Sequence, residues 1–121
     1  MARVLIADDD PGFLVSLSIA LRRDGYEVCA AENSEQALEL LDGKKFDFMM
    51  VDIHLGPLLG VELAEWARLR VPDLPVIFMS AYSYAELEGR IRRVTSLPVL
   101  EKPFNVDEVG RIMADPVGVR K

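Results

Sequence analysis

Five short apolar segments recur along the chain, and each one is followed by polar residues. We predict strands at 3–7, 26–31, 46–51, 75–79 and 97–100. The segment at 46–51 is apolar at nearly every position rather than at alternate positions, which is typical of a strand with both faces covered. The pattern therefore predicts that the third strand lies at the centre of a parallel sheet.

The stretches between these strands carry apolar residues at helical spacing, which predicts five helices. Asp10 followed by Pro11 fits the start of the first helix, with the aspartate as its cap. The third helix is predicted at Gly60 to Arg70, and Trp66 is interpreted as a packing residue of this helix. The other three helices are expected to begin at Asn33 or Ser34, at Ser83 and at Asn105.

Strands and helices that alternate along 121 residues predict one α/β domain. We expect three layers, with a parallel sheet between two layers of helices. The domain is predicted to cover residues 1–114. Residues 115–121 lack a further pattern and are interpreted as a tail or the start of a linker.

Composition narrows the classes of partner. Fourteen basic and twenty acidic residues give a net charge of −6, and no continuous basic face is apparent, so direct nucleic-acid binding is not expected. No apolar run approaches the roughly 20 residues of a membrane span. The single cysteine, Cys29, cannot form an internal disulfide, which suits a reducing compartment. We expect a soluble cytoplasmic domain.

Reactive side chains follow four of the predicted strands: Asp8 and Asp9, Asp52, Ser80, and Lys102. Carboxyl ends of parallel strands meet at one edge of a sheet, where ligands bind. Adjacent carboxylates repel each other unless they share a cation, and ligation by oxygen alone favours Mg²⁺. The spacing therefore predicts that Asp8 and Asp9 bind a metal ion.

This set of side chains suits phosphoryl transfer. A carboxylate such as Asp52 can act as the nucleophile, while a metal ion, a lysine and a hydroxyl bind the phosphoryl oxygens. An ionised carboxylate needs no separate base, which fits a chain whose only histidine is His54.

The motifs VLIADDDP, FDFMMVDIHL, PVIFMSAY and VLEKPF, in this order and spacing, resemble the receiver domain of bacterial two-component response regulators over nearly the whole chain. The resemblance implies a flavodoxin-like receiver fold with a five-stranded, doubly wound parallel sheet in the order 2-1-3-4-5. It also implies a signalling domain rather than an enzyme, one that catalyses only its own aspartyl phosphorylation and dephosphorylation.

The resemblance further implies a role for each site residue. Asp52 would accept a phosphoryl group from a phosphohistidine on a histidine kinase or a histidine phosphotransfer protein. Asp8, Asp9 and Asp52 would hold Mg²⁺ or Mn²⁺, with the main-chain carbonyl of His54 as a further ligand.

Ser80 and Lys102 would contact phosphoryl oxygens, and Lys102-Pro103 would be a cis peptide, a bond essentially restricted to proline. The phosphorylated domain would act on a downstream protein or an attached effector domain. A phosphorylation-dependent homodimer is also compatible with the resemblance.

Departures from the family pattern affect the conformational switch, the change by which phosphorylation would alter the domain's surface. Val99 occupies the position where the family usually carries an aromatic residue whose rotation reports phosphorylation. A valine is stiff and too short for that movement. Tyr82 and Tyr84, which follow Ser80, are therefore the candidate substitutes. The loop after Asp52 also differs, with Gly56-Pro57 in place of the common proline-first sequence.

Two alternatives remain open from the residues alone. Asp8-Asp9-Asp10 contains the D-x-D of haloacid-dehalogenase-type phosphatases, in which Asp8 would be the nucleophile. That family should carry a further acidic motif after a later strand, whereas Asp107 and Glu108 fall at a predicted helix start. The second alternative is an interaction domain that works without phosphorylation.

Overall fold

A computed structural model describes residues 2–114, so the tail predicted at 115–121 lies outside the described residues. The strands are β1 (Arg3–Ala7), β2 (Glu27–Ala31), β3 (Phe48–Asp52), β4 (Val76–Ser80) and β5 (Leu100–Glu101). The helices are α1 (Pro11–Arg23), α2 (Ser34–Gly43), α3 (Gly60–Arg70), α4 (Glu88–Val94) and α5 (Val106–Ala114). None of these helices has the length and apolarity to cross a membrane.

The five strands form one parallel sheet in the order β2-β1-β3-β4-β5. This is the predicted order, and β3 is the central strand. All five residues of β3 are buried, because helices cover both faces of the sheet at its centre. The fold class inferred from the sequence is confirmed.

Alternate residues of the strands supply two separate cores. On one face, Leu5, Met49 and Phe78 belong to the core that also contains the inner residues of α2, α3 and α4. On the other face, strand residues such as Ile6 and Met50 pack in the core that contains the inner residues of α1 and α5. This alternation produces the predicted three layers.

Side-chain caps fix where two of the helices begin. Asp10 Oδ1 accepts hydrogen bonds from the backbone N–H groups of Gly12 and Phe13, so Asp10 caps α1 as predicted. Asn33 Oδ1 accepts from the N–H of Gln36, which identifies Asn33 rather than Ser34 as the cap of α2.

The start of the fourth helix was wrongly predicted. A single 3₁₀ turn at Ala85–Leu87 comes first, and α4 begins only at Glu88. The turn is closed by the N–H of Leu87, which donates to Tyr84 O at 2.9 Å. Backbone hydrogen bonding, rather than a Ser83 cap, therefore organises this segment.

The fifth strand is shorter than the predicted 97–100. Only Leu100 and Glu101 pair with β4. The N–H of Leu97 donates instead to Thr95 Oγ1, and Pro98 has no N–H to donate to the sheet. The chain therefore joins the sheet two residues before Lys102.

Candidate functional site

The carboxyl ends of four neighbouring strands bring together Asp8, Asp9, Asp52, Ser80 and Lys102. Carboxylate oxygens of Asp8, Asp9 and Asp52 all lie within 4.8 Å of one another. Asp8 is fully buried, Asp52 is 7% exposed, and Asp9 is exposed. The sheet edge thus carries an acidic cluster with one side open to solvent.

Lys102 bridges two of these carboxylates. Its Nζ atom lies 2.5 Å from Asp8 Oδ2 and 2.8 Å from Asp52 Oδ2. The N–H of Lys102 donates to Ser80 O at 2.8 Å, which fixes the base of the side chain beside β4. The ammonium group also lies 4.1 Å from the centre of the Phe13 ring, a favourable cation–π contact. The Lys102–Pro103 peptide bond is cis.

Burial and hydrogen bonding have opposite effects on the pKa values of Asp8 and Lys102. Burial raises the pKa of Asp8, and hydrogen bonds from Lys102 and the N–H of Asp10 offset only part of that rise. Burial alone would lower the pKa of Lys102, but its hydrogen bonds to Asp52 and Asp8 outweigh that effect and raise the pKa above its ordinary value. Lys102 therefore stays a cation at neutral pH.

The carboxylate of Asp52 is held at both oxygens. Oδ2 accepts from Lys102, and Oδ1 accepts from the N–H of His54 at 2.8 Å. Gly60 lies against the backbone behind it, and a Cβ atom at Gly60 would lie 1.9 Å from Asp52 O. Gly60 thus permits the close approach of α3 that fixes the end of β3.

A small hairpin borders the site and was missed in the sequence. His54–Leu55 pairs antiparallel with Leu58–Leu59, and Gly56 adopts φ +59° in the turn. The Gly56 Cα carries no side chain, and a Cβ there would lie 3.7 Å from Asp9 Oδ2. Gly56-Pro57 was the available signal in the sequence, because a two-residue turn with glycine first favours a hairpin.

Ser80 bonds to the loop that follows it. Its hydroxyl donates to Tyr82 O and accepts from the N–H of Tyr82 at 3.1 Å. Residues 80–85 of this loop, with Lys102, line a cleft of about 660 Å³. Tyr82 is 72% exposed, and its ring meets the His54 ring edge-on at 5.5 Å.

The other two switch candidates lie further from solvent. Tyr84 and Val99 are half-buried, and both pack against the core that α3 and α4 share. Val99 immediately precedes β5. Neither residue contributes a group to the acidic cluster among the described residues.

The acidic cluster suits a divalent metal ion. Three carboxylates face one ammonium group, so two negative charges remain uncompensated when all four groups are ionised. Clustered carboxylate oxygens are the ligands that Mg²⁺ prefers. Asp8, Asp9 and Asp52 form an acidic cluster typical of a magnesium site.

The sequence model of one protein family, the response regulator receiver domain, matches residues 4–113 of the chain. The chain belongs to this family. It is 33% identical over 106 residues to transcriptional regulatory protein ZraR of Klebsiella oxytoca. The matched region covers 88% of this chain and 24% of ZraR. It is 26% identical over 107 residues to sporulation initiation phosphotransferase F of Bacillus subtilis, covering 88% of this chain and 86% of that protein.

Among solved structures, the receiver domain resembles response regulator protein TrrA of Thermotoga maritima in complex with Mg²⁺ and BeF. The TM-score is 0.83 at 30% identity, covering 95% of this chain and 98% of TrrA. The chain spans about a quarter of the length of ZraR but most of the sporulation phosphotransferase. Membership in the family decides against the haloacid-dehalogenase alternative and makes the chain a signalling domain of two-component systems.

Proposed function

We propose that Asp52 is the phosphoacceptor and that a histidine kinase or a histidine phosphotransfer protein supplies the phosphoryl group. The observation that carries this proposal is the position of Asp52. Its carboxylate ends the central strand, lies beside Asp8 and Asp9, and is oriented at both oxygens. An oriented carboxylate at a strand end is placed to attack without first losing a proton.

In the proposed transfer, an oxygen of Asp52 forms a bond to phosphorus while the bond from phosphorus to the donor histidine nitrogen breaks. Lys102 and Ser80 contact the oxygens of the transferred group, and Lys102 compensates part of their charge. Asp8, Asp9, Asp52 and the main-chain carbonyl of His54 would hold Mg²⁺ or Mn²⁺, which would neutralise negative charge on the phosphoryl oxygens. The match to TrrA, solved with Mg²⁺ and BeF, supports this assignment.

Phosphorylation then changes the domain's interactions. The recipient is a downstream protein or an effector domain attached to the receiver, and a phosphorylation-dependent homodimer is a further form of output. The length of ZraR beyond the matched region supports an attached domain in at least some relatives. We place the domain in the cytoplasm, without direct contact to membrane or nucleic acid.

Labelling with acetyl phosphate and Mg²⁺ tests the phosphoacceptor. We expect a single acid-stable, base-labile acyl phosphate that is absent in Asp52→Asn and weaker in Asp8→Asn, because the latter loses a metal ligand. Asp10→Asn is the matched control, since Asp10 caps α1 and should leave labelling intact. Labelling that persists in Asp52→Asn but vanishes in Asp8→Asn would assign the nucleophile to Asp8 and overturn the proposal.

A further inference from the structure

The outer face of α3 carries two apolar side chains that the fold leaves uncovered. Trp66 is 39% exposed and Leu69 is 81% exposed, the largest value among the exposed large apolar residues of the described chain. They are three positions apart and therefore share one side of the helix. Ala64, on the opposite side of the helix, is fully buried, as are Leu63 and Ala67, which flank the exposed pair. The sequence interpretation of Trp66 as a packing residue within the domain thus accounts for only part of its surface.

The charges beside Trp66 have opposite signs at the two ends of α3. Glu62 lies one turn before Trp66 and Arg70 one turn after it, so four positions separate Trp66 from each. Residues four apart lie on the same helical face. The outer face, defined by Glu62, Trp66, Leu69 and Arg70, therefore runs from an acid, through an apolar centre, to a base.

We propose that this outer face binds the same face of a second copy of the chain, with the two α3 helices antiparallel and Trp66 at the two-fold axis. An isologous interface requires a surface that is complementary to itself after rotation. Antiparallel pairing about Trp66 puts Glu62 of each copy opposite Arg70 of the other and Leu69 beside the partner's tryptophan. The order of charges on the face meets that requirement.

The charged groups of the face are available for this pairing. Glu62 is half-buried and forms no hydrogen bond or ion pair within the described residues, although its charge acts, with that of Glu65, on Arg90. Arg70 pairs with Asp42 at 3.1 Å, but both side chains are exposed, and such pairs contribute little. Arg70 can therefore leave Asp42 and pair with Glu62 of a partner at little cost in the free energy of folding.

Contacts to α4 hold this face in position before any partner arrives. Arg90 donates two hydrogen bonds to Glu65, at 2.6 and 3.3 Å, and Arg68 donates to the carbonyl oxygen of Val94 at the end of α4. These bonds keep Glu65 and Arg68 from competing for the partner's charges. A preorganised face loses less conformational entropy on binding.

A second exposed apolar pair, on α1, lacks this symmetry. Val15 and Ile19 are also exposed. However, α1 carries no acid in its first turn and has Arg22 and Arg23 in its last. The residues one turn before Val15 are uncharged, so an antiparallel pair about this face has no acid of the face itself to place opposite the partner's arginines, and charge complementarity favours α3 for self-association.

Sedimentation equilibrium and tryptophan emission test the dimer together. Interfaces with one helix from each partner lie at the small and weak end of the known range, so we expect association between about 10 μM and about 1 mM protein. Trp66 is the single tryptophan of the chain, so its emission reports directly on this face. We expect a blue shift that follows the dimer fraction.

Charge exchange tests the antiparallel arrangement. Glu62→Arg or Arg70→Glu alone should weaken association by about tenfold or more, and the two substitutions together should restore it. Leu69→Glu should abolish association, whereas the matched α1 control, Ile19→Glu, should leave it unchanged. All four positions are partly or largely exposed, and circular dichroism verifies that each variant is folded.

A chain that remains monomeric at about 1 mM overturns the proposal. So does a dimer that Ile19→Glu disrupts and Leu69→Glu does not, because the interface would then lie on α1. Failure of the double charge exchange to restore association overturns the antiparallel arrangement. None of these outcomes depends on whether Asp52 accepts phosphate, since the measurements use the unphosphorylated protein.

Discussion

Lys102 donates a 2.8 Å hydrogen bond to Asp52 Oδ2, although the two residues are 50 positions apart. The contact joins the end of the central strand to the residue that follows the edge strand β5. The same ammonium group contacts Asp8, so a single cation links the carboxyl ends of the three strands β1, β3 and β5. The charge balance of the site therefore depends on Lys102.

Removal of this cation should separate metal binding from the conformational response. Lys102→Ala leaves three carboxylates without a compensating charge, so we expect Mg²⁺ affinity to be unchanged or higher. The same variant should lose most of the amide shift changes that beryllofluoride produces in the wild type, because a ligand acts only through contacts that differ between two states. Isothermal titration and amide NMR measure the two effects.

Lys44→Ala is the control for that experiment, because Lys44 is exposed and forms no ion pair with the carboxylates of the site. Its Nζ atom lies 3.8 Å from Cys29 Sγ instead. It should leave both measurements unchanged. Wild-type shift changes that return intact in Lys102→Ala would contradict the role assigned to Lys102.

The buried carboxyl of Asp8 should lower the stability of the metal-free protein at neutral pH. Burial raises its pKa above the ordinary 3.8, so the folded state retains a proton at pH values where the unfolded chain has released it. Stability therefore falls as the pH rises through that window. In a chelator, Asp8→Asn should raise Tm at neutral pH and lose this advantage in acid, where Asp8 is protonated in both states.

Thermal unfolding at a series of pH values measures this difference. The exposed Asp73 provides the matched control, and Asp73→Asn should show no such gain. An advantage of Asp8→Asn that is equal at every pH would show that packing, rather than ionisation, is its cause.

Gly60 should be required for the position of Asp52. A methyl group there would overlap Asp52 O and approach Val51 Cγ1, so Gly60→Ala must displace the end of β3 or the start of α3. Overpacking of this kind costs about 1–3 kcal/mol of unfolding free energy. We expect that loss in chemical denaturation, together with slower labelling by acetyl phosphate.

Gly89 offers a matched control on α4, where a Cβ atom would meet nothing within 4 Å. Gly89→Ala should raise stability by up to about 1 kcal/mol, the difference in helix propensity, and leave labelling unchanged. Equal labelling rates in Gly60→Ala and the wild type would show that the close approach of α3 does not position Asp52.

The sequence predicts the sheet and the convergence of the acids for one physical reason. Asp8 and Asp52 directly end or follow buried strands, and parallel strands leave their carboxyl ends at one edge. The local pattern of apolar strands followed by acids therefore predicts contacts between residues that are far apart in the sequence. The contacts of Lys102 are of the same kind, because it follows the edge strand.

Two features were not predicted, one of them local and the other tertiary. Ser80 forms local hydrogen bonds between its hydroxyl and the backbone of Tyr82, and the turn that follows at Ala85–Leu87 has no side-chain cap, so the predicted Ser83 cap is not used. The exposure of Trp66 depends instead on tertiary packing. Helical spacing places it on α3, but only the packing of neighbouring helices decides how much of the ring they cover.

Phosphorylation should reorganise the loop after Ser80 rather than move Val99. The Ser80 hydroxyl is bonded to the backbone of Tyr82 on both its donor and acceptor sides. Rotation of this hydroxyl toward a phosphoryl oxygen must break its donated bond, which releases the start of the loop toward the adjoining cleft. Val99 is half-buried against the core and stiff at χ1, so its environment should change little.

Methyl and aromatic NMR of the free and beryllofluoride-bound protein provides the measurement. We expect large shift changes from Ser80 to Glu86 and a nearly constant Val99 methyl signal. Tyr82→Ala should blunt the loop response without blocking phosphate uptake, because Tyr82 contacts His54 and the loop but supplies no group to the acidic cluster. Tyr26→Phe, a change remote from this loop, should leave the response intact. A large Val99 methyl shift, with constant Tyr82 and Tyr84 rings, would instead assign the switch to the valine, whose short side chain would then have to move with the backbone of the segment before β5.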